Sequence, residues 1–195
     1  MRQKEEALQI ASKNNGVLLT KQITKAGLPR SVLKDLVNDG LIALVQRGVY
    51  IAEGGYVDDF FLLQQRLRKG VFSHETALYL LGFSDRAPIQ IVMSFEYGQS
   101  TPRIKKEGVR PVMVSNDFDA GIIEINRHGM NVRVYEIERT LVDLIKPKYD
   151  VDNEQLIPAL KKYAKYDKRN INKLYSYARK FGVEEKIQNY MGVLL

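Results

Sequence analysis

Cysteine is absent and histidine nearly so, with His74 and His128 the only two among 195 residues. Without thiols the chain forms no disulfide, builds no thiolate zinc site and has no cysteine nucleophile. Two histidines do not make a histidine-rich metal site, and we expect neither a metal nor a cofactor. No apolar run approaches the roughly 18 residues that would cross a bilayer. Met1-Arg2-Gln3-Lys4 does not open a charged-then-apolar leader. These absences point to a soluble, cytoplasmic protein with no membrane partner. Repeats and low-complexity segments are absent too.

Motifs for catalysis are as scarce. There is no Gly-x-Ser-x-Gly, no Gly-rich phosphate loop before a helix and no His-Glu-x-x-His. Ser73-His74-Glu75 contains a nucleophile, a base and a carboxylate. Consecutive helical residues point in different directions, whereas a triad must converge, so we read Ser73 as a helix cap and His74 as a packing residue. Asp117, Asp119 and Glu124 lie near one another around a turn, as a magnesium-dependent nuclease would need. The lysine two positions after Glu124 is missing, and turn aspartates ordinarily bond their own backbone. We assign no catalytic residue and no metal ligand, and expect a protein that is not an enzyme.

What the chain does have is positive charge, +7 in all, at its two ends. Residues 1–54 carry eight basic against five acidic side chains, 55–150 carry thirteen of each, and 151–195 carry nine against five. A basic surface attracts phosphates regardless of sequence and speeds association. Scattered solvated lysines would give the same sums, so charge alone does not decide the partner.

Pattern says more. Arg2 to Asn14 reads as a helix with Ala7, Leu8, Ile10 and Ala11 on one face, ended by Asn14-Asn15-Gly16. Val17-Leu18-Leu19 is an extended apolar piece, and Thr20 is placed to cap a short helix that buries Ile23 and Ala26. Gly27-Leu28-Pro29 turns the chain, with Pro29 suited to the first turn of a second helix. In that helix Val32, Leu33, Leu36 and Val37 form an apolar stripe, leaving Arg30, Ser31, Lys34 and Asn38 outside. Asp39-Gly40 stops it, and Leu41 to Ile51 reads as two strands around Arg47-Gly48. Two short helices and a basic hairpin make a winged helix-turn-helix, which holds one helix in a DNA groove. We place this domain at residues 1–54, with a linker near Ala52-Glu53-Gly54-Gly55.

Residues 55–195 read as a mixed α+β domain, a small sheet covered by helices. Helices are expected over 58–69 (Phe60, Phe61, Leu63 and Leu67 apolar), 73–81 (closed by Gly82) and 138–145. Four strands are expected, the first with Ile89, Ile91 and Met93 alternating, then 112–114, 122–126 and 132–135. The tail from 152 to 194 shows three helical patterns, split at 167–170 and 181–182. Within it Lys161, Lys162, Lys165, Lys168 and Arg169, with Tyr163 and Tyr166 between them, form a second basic patch. It suits phosphates of DNA, RNA or a nucleotide, and an ordinary solvated face is the competing reading. A tyrosine there has two uses, stacking on a base or packing between helices.

The winged helix, followed by Val71-Phe72-Ser73-His74-Glu75-Thr76-Ala77-Leu78-Tyr79-Leu80-Leu81-Gly82, resembles the AbiEi antitoxins of bacterial abortive-infection systems. The likeness continues through Ile89-Gln90-Ile91-Val92-Met93 and Val134-Tyr135-Glu136-Ile137-Glu138-Arg139-Thr140-Leu141-Val142-Asp143-Leu144. The resemblance implies an antitoxin that represses its own bicistronic operon by binding inverted repeats in double-stranded promoter DNA. It also implies a type IV system, used in phage defence, in which the carboxyl-terminal domain counters a co-encoded nucleotidyltransferase-like toxin without direct binding. On this chain the DNA contacts fall on Thr20, Lys21, Lys25, Arg30, Ser31, Lys34 and Arg47. A monomer or weak dimer pairing on DNA is the matching state, and Arg139 with Asp143 is spaced for an i,i+4 pair. Two rivals are a ligand-responsive winged-helix repressor and, with less support, a DNA-processing enzyme.

Overall fold

The computed structural model describes residues 2–149 and 153–194, in which ten helices and eight short strands are found. The first elements are α1 (Arg2–Ser12), β1 (Val17–Leu19), α2 (Thr20–Lys25), α3 (Ser31–Asn38), β2 (Ile42–Gln46), β3 (Val49–Ala52) and α4 (Asp59–Arg66). There follow β4 (Val71–Phe72), α5 (His74–Leu80), β5 (Ile91–Glu96), α6 (Thr101–Lys106), β6 (Val109–Val114), β7 (Ile122–Arg127) and β8 (Met130–Tyr135). Four helices close the chain: α7 (Ile137–Ile145), α8 (Asn153–Ala164), α9 (Ile171–Lys180) and α10 (Glu184–Leu194). This is a winged helix-turn-helix followed by an α+β domain. No helix of the described residues is long and apolar enough to cross a membrane.

Two compact units emerge. The first holds residues 1–66 together with 125–132. Its sheet runs β1-β3-β2, both pairs antiparallel. Ala7, Ala11, Leu18, Ile23, Leu28, Val32, Leu33, Leu36 and Ile42 make its core. Each large aliphatic side chain there contributes about 1.5–3 kcal/mol by leaving water. Ala26 and Val37 depart from the expected pattern: both are exposed, because Ala26 has become the C-cap of α2 and Val37 lies at the rim of the α3 stripe.

Local chemistry explains where these helices begin and end. Thr20 is the first residue of α2, not its cap; Leu19 occupies the cap, and its amide donates to Gln22 Oε1 at 2.8 Å. Pro29 precedes the helix it was expected to start, with Arg30 in the N-cap position. At the far end Gly40 takes φ 70°, the Gly40 amide donates to Val37 O and the Leu41 amide to Leu36 O. That double bond is the left-handed stop that a Cβ disfavours. Asp58 caps α4, accepting from the amides of Phe60 and Phe61 on Oδ1.

The second unit holds residues 67–124 and 133–195. Its strands belong to a five-stranded sheet of order β6-β5-β4-β8-β7, one strand more than expected. β4 pairs antiparallel with β5 and parallel with β8, and β5 pairs parallel with β6. Strand β5 does not alternate: Val92, Met93, Ser94 and Phe95 are all buried, while Ile89 lies outside the strand and is 91% exposed. A strand covered on both faces loses its two-residue period. Two elements escaped pattern reading, the two-residue β4 and α6, whose Pro102, Arg103, Lys105 and Lys106 leave little apolar signal. Helices α5, α7, α8, α9 and α10 share a core that includes Leu78, Leu141, Leu160, Leu174, Ile187 and Met191, and α5 packs on β5. The three-helix tail stands as expected.

Candidate nucleic-acid interface

The wing is fixed to the second helix by the backbone. Arg47-Gly48 turns β2 into β3 with Gly48 at φ 80°, and the Gly48 carbonyl accepts from the Thr20 amide at 3.1 Å. Leu19 pairs with Val49 in the same register. Thr20, Lys21 and Arg47 are thereby brought to one locality. Arg30 is tied in from the other side: its Nε donates to Thr24 Oγ1 at 3.4 Å, and Thr24 Oγ1 donates to Thr20 O at 3.1 Å.

Lys21, Lys25, Arg30, Ser31, Lys34 and Arg47 are exposed, and Thr20 is half-buried. Among the described residues, Lys21, Lys25, Lys34 and Arg47 enter no ion pair. Four cations on adjoining elements with no carboxylate partner make a surface open to an anionic polymer. Asp35 lies on α3 and Asp39 at its C-cap, and Asp39 accepts from Lys4 Nζ of α1 at 2.5 Å. Leu41, Leu44 and Val45 are also exposed here, at 44%, 58% and 40%.

In the second unit Lys161, Lys162, Lys165, Lys168 and Arg169 are all exposed. The tyrosines between them have structural work. Tyr163 is fully buried and donates to Glu138 Oε1 at 3.0 Å, and Tyr166 meets the Phe83 ring edge-on at 5.3 Å. Burial, then the Glu138 carboxylate, push the Tyr163 phenol above its ordinary range. Tyr163 therefore packs between helices, the second of its two readings. Lys162 has Asp85 3.8 Å away, and Arg169 donates to the carbonyl of Tyr166 at 3.2 Å. Lys168, Arg169, Asn170 and Asn172 line a shallow hollow before α9.

Beneath that surface lies a buried polar network that pattern reading located only in part. All nine residues of α7 are buried, including Glu138, Arg139 and Asp143. The expected i,i+4 pair forms, Arg139 Nε donating to Asp143 Oδ2 at 2.8 Å. Arg139 also donates to the carbonyls of Asp117 and Ala120, and its guanidinium lies over the rings of Tyr135 and Phe181. Lys146 Nζ takes the second Asp143 oxygen at 2.5 Å, and burial lowers its pKa.

Ser73 and His74 correct an expectation. Ser73 stands at the N-cap of α5, yet its hydroxyl makes no capping bond; it lies 3.0 Å from His74 Nδ1. Adjacent side chains converge because His74 takes φ 52°, outside the helical region. Glu75 points elsewhere and pairs with Arg110 at 2.9 Å. His74 is 1% exposed, its ring packs on Tyr149 at 4.3 Å, and its Nε2 has no partner among the described residues. Burial pushes its pKa down to about 4, against the pull of the Asp143 and Glu75 carboxylates. Asp117, considered above for a metal, binds Lys180 Nζ at 2.6 Å.

One cavity belongs to the first unit. Leu8, Ser12, Asn15, Glu53, Tyr56 and His128 are among the residues around an open hollow of about 690 Å³. The Tyr56 and His128 rings meet edge-on at 5.1 Å, and Asn15 Nδ2 donates to the His128 carbonyl at 2.5 Å.

Comparison with known proteins agrees with this geometry at two scales. Residues 5–52, spanning α1 to β3, match the family model AbiEi_4, described as a transcriptional regulator, AbiEi antitoxin. Over that stretch the chain is similar to AbiEi-type regulators. Among curated proteins none matches the chain. The chain is similar in fold to the crystal structure of the RV2827C protein from Mycobacterium tuberculosis, with a TM-score of 0.52 and 16% identity. That likeness covers 98% of this chain and 81% of the other.

Proposed function

We propose that this chain, similar to AbiEi-type regulators over residues 5–52, is the antitoxin of a two-gene abortive-infection system and represses its own operon. The observation that carries the reading is the cationic surface of α2, α3 and the wing turn, where Lys21, Lys25, Lys34 and Arg47 are left without carboxylate partners among the described residues. In this reading α3 enters the major groove by its amino-terminal end, with Arg30, Ser31 and Lys34 facing base edges. Thr20, Lys21 and Lys25 face phosphates, and Arg47 reaches the neighbouring minor groove or backbone. The partner is double-stranded promoter DNA with inverted repeats, on which two copies pair.

The second unit, with Lys161, Lys162, Lys165, Lys168 and Arg169 on its surface, would counter a co-encoded nucleotidyltransferase-like toxin without binding it. Gel shifts with the promoter of the chain's own gene and with scrambled DNA test repression; equal affinity for both would sink it. Co-expression with the neighbouring reading frame tests antitoxicity, read as restored growth. The hollow at Ser12, Glu53, Tyr56 and His128 favours a second reading, a repressor whose DNA affinity responds to a small ligand.

A further inference from the structure

We infer that Lys4, on α1, is a positioning residue for DNA reading: it cancels the acidic row that Asp35 and Asp39 would otherwise present beside Lys34. The inference rests on the DNA-binding reading above and adds to it a residue outside the helix-turn-helix proper.

The argument starts from the charge of the reading helix. From Arg30 to Asp39 the cations are Arg30 and Lys34 and the anions are Asp35 and Asp39, so the segment sums to zero. A segment with no net charge gains little from the long-range phosphate field, and a carboxylate adjacent to Lys34 opposes that lysine directly. Asp35 and Asp39 are four residues apart and so lie one above the other on a single strip. Asp39 is moreover the C-cap of α3, at the negative end of the helix dipole, where an acid is disfavoured. Something must offset that strip.

Lys4 is the group that does. Its Nζ donates to Asp39 Oδ2 at 2.5 Å across 35 residues of sequence. Asp35 is near enough to act on the same ammonium, and the hydrogen bond to Asp39, with the charges of both carboxylates, raises the Lys4 pKa against a small opposing burial effect. Lys4 is thus held against Asp39, and with it the segment from Arg30 to Asp39 sums to +1, three cations against two carboxylates. Stability is not the main return on this contact, since a solvent-exposed ion pair is screened by water and salt and gives up side-chain entropy to form. Its reach matters more: at about 0.1 M salt, charges within roughly 10 Å still feel one another, which includes phosphates docked against Lys34.

Binding of the full chain to a labelled fragment of its own promoter, followed by anisotropy across about 50–400 mM salt, tests this. Lys4→Ala should weaken binding about two- to fivefold at the lowest salt, with the difference fading as salt rises. Lys13→Ala, which removes the same charge from the turn just after α1, should do less. Lys4→Arg should match the unmodified protein, Asp39→Asn should not weaken binding, and Lys4→Ala with Asp39→Asn should recover most of the loss. The inference is overturned if Lys4→Ala equals Lys13→Ala, or if Asp39→Asn weakens binding as much as Lys4→Ala. A loss that tracks a lowered thermal midpoint also overturns it, because the pair would then only dock α1. Failure of the unmodified protein to prefer its promoter would count against DNA reading itself, a different result from any of these.

Discussion

The Thr20 amide donates to the Gly48 carbonyl at 3.1 Å, and this one backbone bond makes the wing turn and the start of α2 a single piece. Gly48 sits at φ 80°, and a Cβ added there would lie 3.6 Å from Thr20 Oγ1, an ordinary contact. The cost of a side chain is thus in the backbone. Gly48→Ala should lose about 1–2 kcal/mol in urea unfolding, and Gly48→Asn less, because Asn tolerates left-handed backbone. Gly48→Val should be the worst of the three. A Val variant as stable as the parent would show that the turn relaxes freely.

Base readers and phosphate contacts separate by their salt behaviour. Arg30→Ala or Lys34→Ala should cost about 1–3 kcal/mol on the promoter and little on scrambled DNA. Arg47→Ala should weaken both and reduce the salt slope by about one. Gel shifts at several salt concentrations distinguish these outcomes. Identical losses on both DNAs for Lys34→Ala would move it from base to backbone.

His74 makes the fold acid-sensitive. It is buried and neutral, with a pKa pushed to about 4 from an ordinary 6.5. Between those values the unfolded chain binds a proton that the native state refuses, so this stabilisation is complete above about pH 6.5 and lost as pH falls toward 4. The span corresponds to about 3 kcal/mol. His74→Gln, unable to titrate, should flatten the unfolding free energy over that window. An unchanged acid limb in the variant would place the sensitivity in another group.

The Arg139–Asp143 pair should behave as a buried ion pair. Removing Arg139 alone strands the Asp143 carboxylate, 3% exposed, with Lys146 as its remaining charged partner. Arg139→Met should cost about 3–5 kcal/mol, and Arg139→Met with Asp143→Leu should recover much of it. Chemical denaturation of both variants measures the difference; a double variant worse than the single would mean that the Asp143–Lys146 pair outweighs the cost of the stranded carboxylate.

Legibility followed the range of the interactions involved. Gly27, Gly40 and Gly48 announce their turns, and Val32, Leu33 and Leu36 their helix, because caps, turns and amphipathic stripes are settled within a few residues. Even there Thr20 was placed one position early, as the Gln22 amide oxygen took the capping role at Leu19. The surface positions of Lys21, Arg30, Lys34 and Arg47 were readable for the same local reason. Lys4 was not, since its meaning comes from Asp39 at the C-cap of another helix.

The sequence by itself determined the helix-turn-helix, its basic wing and the three closing helices, where each residue's neighbours in the chain are also its neighbours in space. Only the tertiary structure decided that β5 is buried on both faces, that Tyr163 belongs to a core, that Ser73 and His74 meet, and that Arg139 is sealed beneath α9. Burial of this kind depends on partners distant in the chain, such as Glu138 for Tyr163, 25 residues away. Burial turns charge and period into quantities that no local window contains.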